Sequence, residues 1–255
     1  MSLLSPGSFD RIAFDAAFHH GVAVVNGVRL HYIEGGKEAK GDPILLIPGW
    51  PQSWYAWRFI MPTLVAAGHH VVALDLRGMG DSDHPTDGYD GKTIANDIHS
   101  FVESLGLARD RHLHVAGHDV GAWMAYAHAA DWAGDVRTLT LMEAALPGIT
   151  APAPAGIVSD EGNMRSWHFA FNRLPDLPEM LVQGHERAYL SWLFAQKSVK
   201  GYVFTPDALD EYVRVFPSQV VRGQPLAITA PPLVIVVCSK TGFAPLPYCR
   251  CRSLQ

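Results

Sequence analysis

Short runs of consecutive apolar residues alternate along this chain with longer stretches in which apolar positions return every three or four residues. Val22–Val25 and Val28–Ile33 flank Asn26-Gly27, a pair that suits the tight turn of a two-residue hairpin. Pro43–Ile47 and Val71–Leu76 read as buried strands, and Leu113–Ala116 and Val136–Met142 as two further strands. Between them, Trp54–Ala67, Ile94–Leu105 and a stretch from about Gly121 to Ala130 have helical spacing; Ile94, Ile98, Phe101, Val102 and Leu105 share one face. Strand–helix–strand alternation predicts an α/β fold, a mostly parallel sheet with helices on both faces and the opening hairpin as an antiparallel edge.

The rhythm changes after Pro147. Residues 148–163 are rich in Pro, Gly and Ala and read as a linker. Met164–Asn172, Leu177–Gln183, His185–Gln196 and Thr205–Phe216 then read as helices with no strand among them. The last opens on Thr205-Pro206-Asp207, with a capping hydroxyl, a proline at the first helical position and a carboxylate at the positive end of the dipole. A helical block after a sheet strand predicts a lid over residues 148–216, added to a sheet-bearing core over residues 1–147.

Residues 217–255 differ in kind. Residues 1–216 carry 16 basic and 25 acidic groups, whereas residues 217–255 carry 4 basic and none acidic. Six of the 18 prolines and all three cysteines (Cys238, Cys249 and Cys251) fall in this tail. Cys249 and Cys251 are too few for a zinc site and too close for an easy bridge. Pro231–Val237 has the pattern of one further strand.

Over all 255 residues the formal net charge is −5, with 48% apolar and 18% charged residues, values that exclude a disordered chain. The acidic balance argues against a nucleic-acid partner. No run approaches the roughly 20 apolar residues of a membrane span. Without a basic, apolar leader at the N-terminus, the expected compartment is cytoplasmic. No His/Cys/Asp/Glu cluster has metal-ligand spacing and no glycine-rich phosphate loop follows a strand, so neither a metal nor a cofactor is expected.

Gly117-His118-Asp119-Val120-Gly121 lies between a strand and a helix. Small residues two before and two after the centre permit a sharp turn that lifts the central side chain out of the sheet. This is a nucleophile-elbow pattern with Asp at the usual Ser position. A carboxylate is ionised near neutrality without a base, and its natural target is an sp³ carbon, as in an epoxide or alkyl halide, giving an alkyl ester. An Asp that only caps the helix is the competing reading. Pro48-Gly49-Trp50-Pro51 ends the strand Pro43–Ile47. It can aim the Trp50 N–H across the sheet top, where with the Val120 N–H it forms a two-donor oxyanion hole. An ordinary turn is the alternative, and the occurrence of both motifs on neighbouring predicted strands weighs against it. Glu143, just past Val136–Met142, puts a carboxylate beside the elbow; a solvated loop residue is the competing reading. His118, His19-His20 and His69-His70 read as structural or surface residues.

With these motifs in place, residues 20–216 resemble the α/β-hydrolase fold, in its epoxide hydrolase and haloalkane dehalogenase branch. Pro48-Gly49-Trp50-Pro51 resembles that family's His-Gly-x-Pro motif, with Pro48 in place of His. Asp75-Leu76-Arg77-Gly78-Met79-Gly80-Asp81-Ser82 resembles its Asp-x-Arg-Gly-x-Gly-x-Ser loop, and Gly117–Gly121 its Asp elbow. Met142-Glu143-Ala144 and Trp167-His168-Phe169 are most similar to Cif-type epoxide hydrolases. The resemblance implies that Asp119 is the nucleophile and that Trp50 and Val120 supply the oxyanion hole. It further implies that Glu143 orients a catalytic His and that His168, in the lid, assists the departing ring oxygen.

The resemblance ends near Phe216. The family takes its water-activating His from a loop after the last strand, yet His185 is the final histidine of this chain, and Tyr248 does not match the second lid tyrosine. The expectation is a hydrolase fold short of its C-terminal strands, with a tail of altered frame or truncated origin, acting on a small-molecule epoxide or halide and compatible with a homodimer. The expected reaction opens epoxides to diols through an Asp alkyl ester, with this chain inactive or limited to one turnover for want of the C-terminal catalytic His. Haloalkane or haloacetate dehalogenation is the alternative, disfavoured because Val120 supplies no halide donor. A catalytically dead binding protein on a hydrolase scaffold is the other.

Overall fold

The computed structural model describes residues 9–108, 113–146, 150, 159–198 and 204–216. The expected strand Pro231–Val237, the cysteines, Tyr248 and most of the linker lie outside the described residues.

Six strands form one sheet: β1 (Phe18–Val25), β2 (Val28–Gly35), β3 (Gly41–Ile47), β4 (His69–Leu74), β5 (Leu113–His118) and β6 (Val136–Met142). Their order is β1-β2-β4-β3-β5-β6. β1 and β2 form the antiparallel hairpin, turning at Asn26-Gly27 with both residues at positive φ, and β2 also runs antiparallel to β4. β3, β4, β5 and β6 are mutually parallel, as the alternation predicts. β1 starts at Phe18, so His19 and His20 belong to a strand; His20 meets His31 of β2 through an Nδ1···Nε2 contact of 2.8 Å.

Helix α1 (Arg11–Ala17) precedes the sheet and was not anticipated; Asp10 caps it by accepting from the Ala13 N–H. Its only buried residue is Phe14, too little apolar periodicity to announce a helix. The span Trp54–Ala67 is two elements: a 3-10 turn over Trp54–Trp57 and helix α2 over Met61–Ala66. Pro62 has no N–H to continue a ladder from the turn and is tolerated because it falls in the first turn of α2. Helix α3 (Gly91–Leu105) is capped by Asp90, whose carboxylate accepts from the Thr93 N–H, and ends at Gly106 with φ 65°. It buries Ile94, Ile98, Phe101 and Val102 against one face of the sheet, in a cluster with Leu30, Leu45, Leu74, Val115 and Met124. Each such side chain contributes roughly 1.5–3 kcal/mol on removal from water. Helix α4 (Val120–Asp131) follows β5 after a single residue, Asp119.

Helices α5 (Asp160–Phe171), α6 (Leu177–Val182), α7 (Glu186–Lys197) and α8 (Pro206–Val215) form the helical block, and Thr205 caps α8 as expected. The block shares its apolar interior with the opposite sheet face: Val182, Leu190, Phe194, Ala208, Tyr212 and Phe216 join Ile33, Leu46, Trp54, Tyr55 and Ala73 in one buried cluster. Tyr212 meets Tyr55 edge-on at 5.7 Å, and Arg214 holds Asp81 through two hydrogen bonds of 2.8 and 2.7 Å. α8 is thereby fastened to the loop after β4. No helix among the described residues is long and apolar enough to cross a membrane.

Candidate functional site

Two parallel, directly paired strands deliver the site. Ile47, at the end of β3, is in register with Gly117 near the end of β5. The loop after β3 and the turn after β5 therefore meet above the sheet.

The turn after β5 is sharp because two glycines let backbones touch. A Cβ on Gly117 would stand 2.4 Å from the Gly121 carbonyl oxygen, and one on Gly121 would stand 2.4 Å from the Pro48 oxygen and 2.5 Å from the Ile47 oxygen. Between them Asp119 adopts φ 53°, ψ −124°, a conformation costly for a residue bearing a Cβ and stored only where the surroundings hold it. Its N–H donates to the Met142 carbonyl at 3.0 Å, tying the turn to the end of β6. The half-buried carboxylate accepts the Val120 N–H at 2.7 Å, and the nearby Trp50 backbone favours its ionised form. Burial raises the Asp119 pKa above its ordinary value, while the Val120 and Trp50 donors, His118 and Lys197 oppose that rise.

The loop carrying Trp50 is braced from below. Asp75, fully buried, accepts the Trp54 N–H at 2.6 Å and the Asp81 N–H at 3.2 Å, and pairs with His31 Nδ1 at 2.8 Å. Ser82 donates to the Asp75 carbonyl at 2.6 Å, and Arg77 meets Asp97 of α3 at 2.5 Å with both side chains buried. The Asp-x-Arg-Gly-x-Gly-x-Ser loop therefore supports the turn that follows Trp50. Pro48, whose side chain has no hydrogen-bonding group, takes no part in this network.

From the helical block, His168 of α5 lies parallel to the Trp50 ring, with centroids 5.9 Å apart and planes 3° from parallel. His168 is buried, and its Nδ1 has no partner among the described residues. Burial first, and then the Lys197 charge, lower its pKa to about 4, so the imidazole is neutral at pH 7. Trp50, Asp119, Val120 and His168 are thus gathered in one place. Glu143 follows β6 directly with φ 53°, exposed, and without a hydrogen bond or ion pair among the described residues. A shallow, solvent-open cleft lies beside Trp50, lined by Trp50, Pro51, Gln52, Met79, Val215 and Phe216.

Lys197, the last residue of α7, was missed by sequence reasoning. Its amino group donates to the Arg165 carbonyl, and its charge favours the ionised form of Asp119. A lysine in the final turn of an amphipathic helix has the pattern of a solvated residue, so nothing in the sequence marks it.

Residues 42–199 match the family described as the alpha/beta hydrolase fold. The chain belongs to that family. This α/β hydrolase is 34% identical over 203 residues to a soluble epoxide hydrolase of Corynebacterium sp. (strain C12), covering 77% of this chain and 66% of that protein. It is 30% identical to mouse epoxide hydrolase 4, over 81% of this chain and 55% of that one. The chain therefore spans between about half and two thirds of the length of these relatives. Among solved structures, Cfl2 of Burkholderia cenocepacia superposes with a TM-score of 0.72 at 46% identity, covering 78% of this chain and 66% of that one. The epoxide hydrolase CorEH superposes with 0.69 at 32% identity, over 81% and 71%. The sequence is thus similar to those of epoxide hydrolases over the part it shares with them.

Proposed function

We propose that this α/β hydrolase opens epoxides through an alkyl ester on Asp119. The observation that carries the reading is the placement of the Asp119 carboxylate. It is held in a left-handed turn at the head of α4, accepts the Val120 N–H, and is favoured in its ionised form by the backbone of Trp50, whose ring lies parallel to that of His168.

One Asp119 oxygen attacks a ring carbon. The C–O bond breaks, and its electron pair passes to the ring oxygen. His168, neutral, donates an N–H hydrogen bond to that oxygen as charge develops, and water supplies the proton that completes the hydroxyl. The other Asp119 oxygen becomes the ester carbonyl, facing the Trp50 and Val120 N–H groups. When water adds to the ester, those two donors hold the resulting oxyanion. Residues 148–216 act as the lid that limits water access during the first step.

Ester hydrolysis needs a base, and in this reading Glu143 would orient a catalytic histidine. The 255-residue polypeptide has no His after His185. For this polypeptide the reading is therefore one alkylation per Asp119, followed by an ester that persists. Intact-protein mass spectrometry after mixing with styrene oxide tests it: an added mass of one epoxide on the wild-type chain and none on Asp119→Asn is expected. Equal labelling of the two would remove Asp119 from the mechanism. Halide release from an alkyl halide without an epoxide adduct would favour dehalogenation, and neither reaction would favour a binding protein.

A further inference from the structure

A second cluster of titratable groups lies at the other end of α4. His99 of α3, His128 in the last turn of α4 and Asp135 in the turn before β6 each offer one atom to a group whose members all lie within 4.8 Å of one another. His99 Nδ1 is 2.7 Å from Asp135 Oδ2, and His128 Nε2 is 3.5 Å from the same oxygen. Two imidazole nitrogens and a carboxylate oxygen at bond lengths of about 2.0–2.1 Å around a tetrahedral ion are about 3.3 Å apart, a spacing these contacts bracket.

The second observation concerns His128 itself. Its side chain has no exposure, yet neither ring nitrogen has a hydrogen-bond partner among the described residues. A buried polar group without a partner destabilises the fold, so such a group is retained where something else engages it. Burial, opposed in part by Asp135, lowers its pKa to about 4. His99 has its other nitrogen, Nε2, 3.6 Å from Glu103, the outer carboxylate that commonly orients a ligating imidazole. Trp132 stacks on His99 at 4.5 Å and lies against His128 at 5.8 Å, walling one side. About a fifth of the His99 and Asp135 side chains reaches solvent, which gives an ion a way in and leaves a position for water.

We propose that His99, His128 and Asp135 bind one divalent transition-metal ion of the zinc class. The site is separate from Asp119: nine residues of helix at 1.5 Å each put His128 roughly 13 Å along α4 from the elbow. Its ligands come from α3, α4 and the turn before β6, so the ion clamps these three segments together. The histidines and the aspartate converge only in three dimensions, which is why no ligand spacing is visible along the chain.

The test uses the full chain without a histidine tag, stripped of metal, and titrated with Co²⁺ as a visible-absorption probe and then with Zn²⁺. One Co²⁺ per chain, displaced by one Zn²⁺, is expected. A hundredfold excess of Zn²⁺ over its dissociation constant should raise the melting temperature by roughly 5–10 °C. His99→Ala removes the partly exposed ligand, and its fold is checked by circular dichroism. That variant and Asp135→Asn should each bind at least tenfold more weakly. Absence of a one-to-one Co²⁺ signal in the wild type would overturn the proposal. So would His99→Ala binding within threefold of wild type, which would place the ion on other histidines.

Discussion

Gly121→Ala sets two effects of opposite sign against each other. Alanine is a better helix former than glycine by up to about 1 kcal/mol, and Gly121 is the second residue of α4 at an ordinary negative φ. Propensity alone therefore predicts a more stable protein. The packing says otherwise. The new Cβ would stand 2.4 Å from the Pro48 oxygen and 2.5 Å from the Ile47 oxygen, whereas ordinary contact begins at 3.4 Å. Both oxygens belong to backbone at the end of β3 and cannot rotate aside, so strand and helix must separate by close to 1 Å. Overpacking of this kind costs roughly 1–3 kcal/mol. The net expectation is a loss of about 1–2 kcal/mol, or roughly 2–8 °C in melting temperature. The same displacement moves the Trp50 N–H away from Asp119, and a 1 Å misplacement can cost about 10²-fold in rate. Differential scanning fluorimetry and the rate of epoxide adduct formation are the two assays. Gly134→Ala is the control, because nothing lies within 4 Å of its added Cβ, and it should change stability by less than about 0.5 kcal/mol. A Gly121→Ala protein that melts at or above the wild-type temperature and alkylates normally would refute the argument that this glycine sets the spacing.

His168→Ala should slow adduct formation by roughly 10²–10³-fold while leaving binding of an intact epoxide little changed, read from single-turnover mass spectrometry over a range of epoxide concentrations. Alkylation requires ionised Asp119, whose pKa burial raises, so its rate should fall with decreasing pH along a limb above the ordinary aspartate range. The linked stability has the opposite sign. With a folded pKa above the unfolded one, ionisation costs stability as pH rises through the folded value, and Asp119→Asn should melt higher than wild type at pH 7. Arg77→Met strands Asp97, whose side chain is 2% exposed, and should cost about 3–5 kcal/mol in urea denaturation. Adding Asp97→Asn should recover much of that loss.

The elements that read most clearly were those in which one local pattern sufficed. Val136–Met142 is the strand the apolar run predicts, and the Asn26-Gly27 hairpin turns where its left-handed residues require. The motif loops also stood out, because close backbone approach leaves small residues in the sequence, as Gly117 and Gly121 do. Trp54–Ala67 looked like one helix because spacing cannot report the 3-10 turn that precedes α2. α1 was hidden because it buries one side chain and is held by a cap and by packing on its neighbours.

The chain by itself determined the α/β alternation, the helical block, the sharp turn at Asp119 and the choice of a carboxylate as its central residue. Each of these is a local choice, written in spacing or in residue size. What stands around Asp119 was decided by tertiary structure. Register between β3 and β5 brings Trp50 to the carboxylate, and packing of α5 lays His168 along Trp50. The last turn of α7 adds the Lys197 charge. The same holds for His99, His128 and Asp135, which come from three segments with no common pattern. Distances between residues far apart in sequence depend on how the layers pack, and the potential at a buried carboxylate depends on everything within several ångströms, so neither can be read from one segment alone.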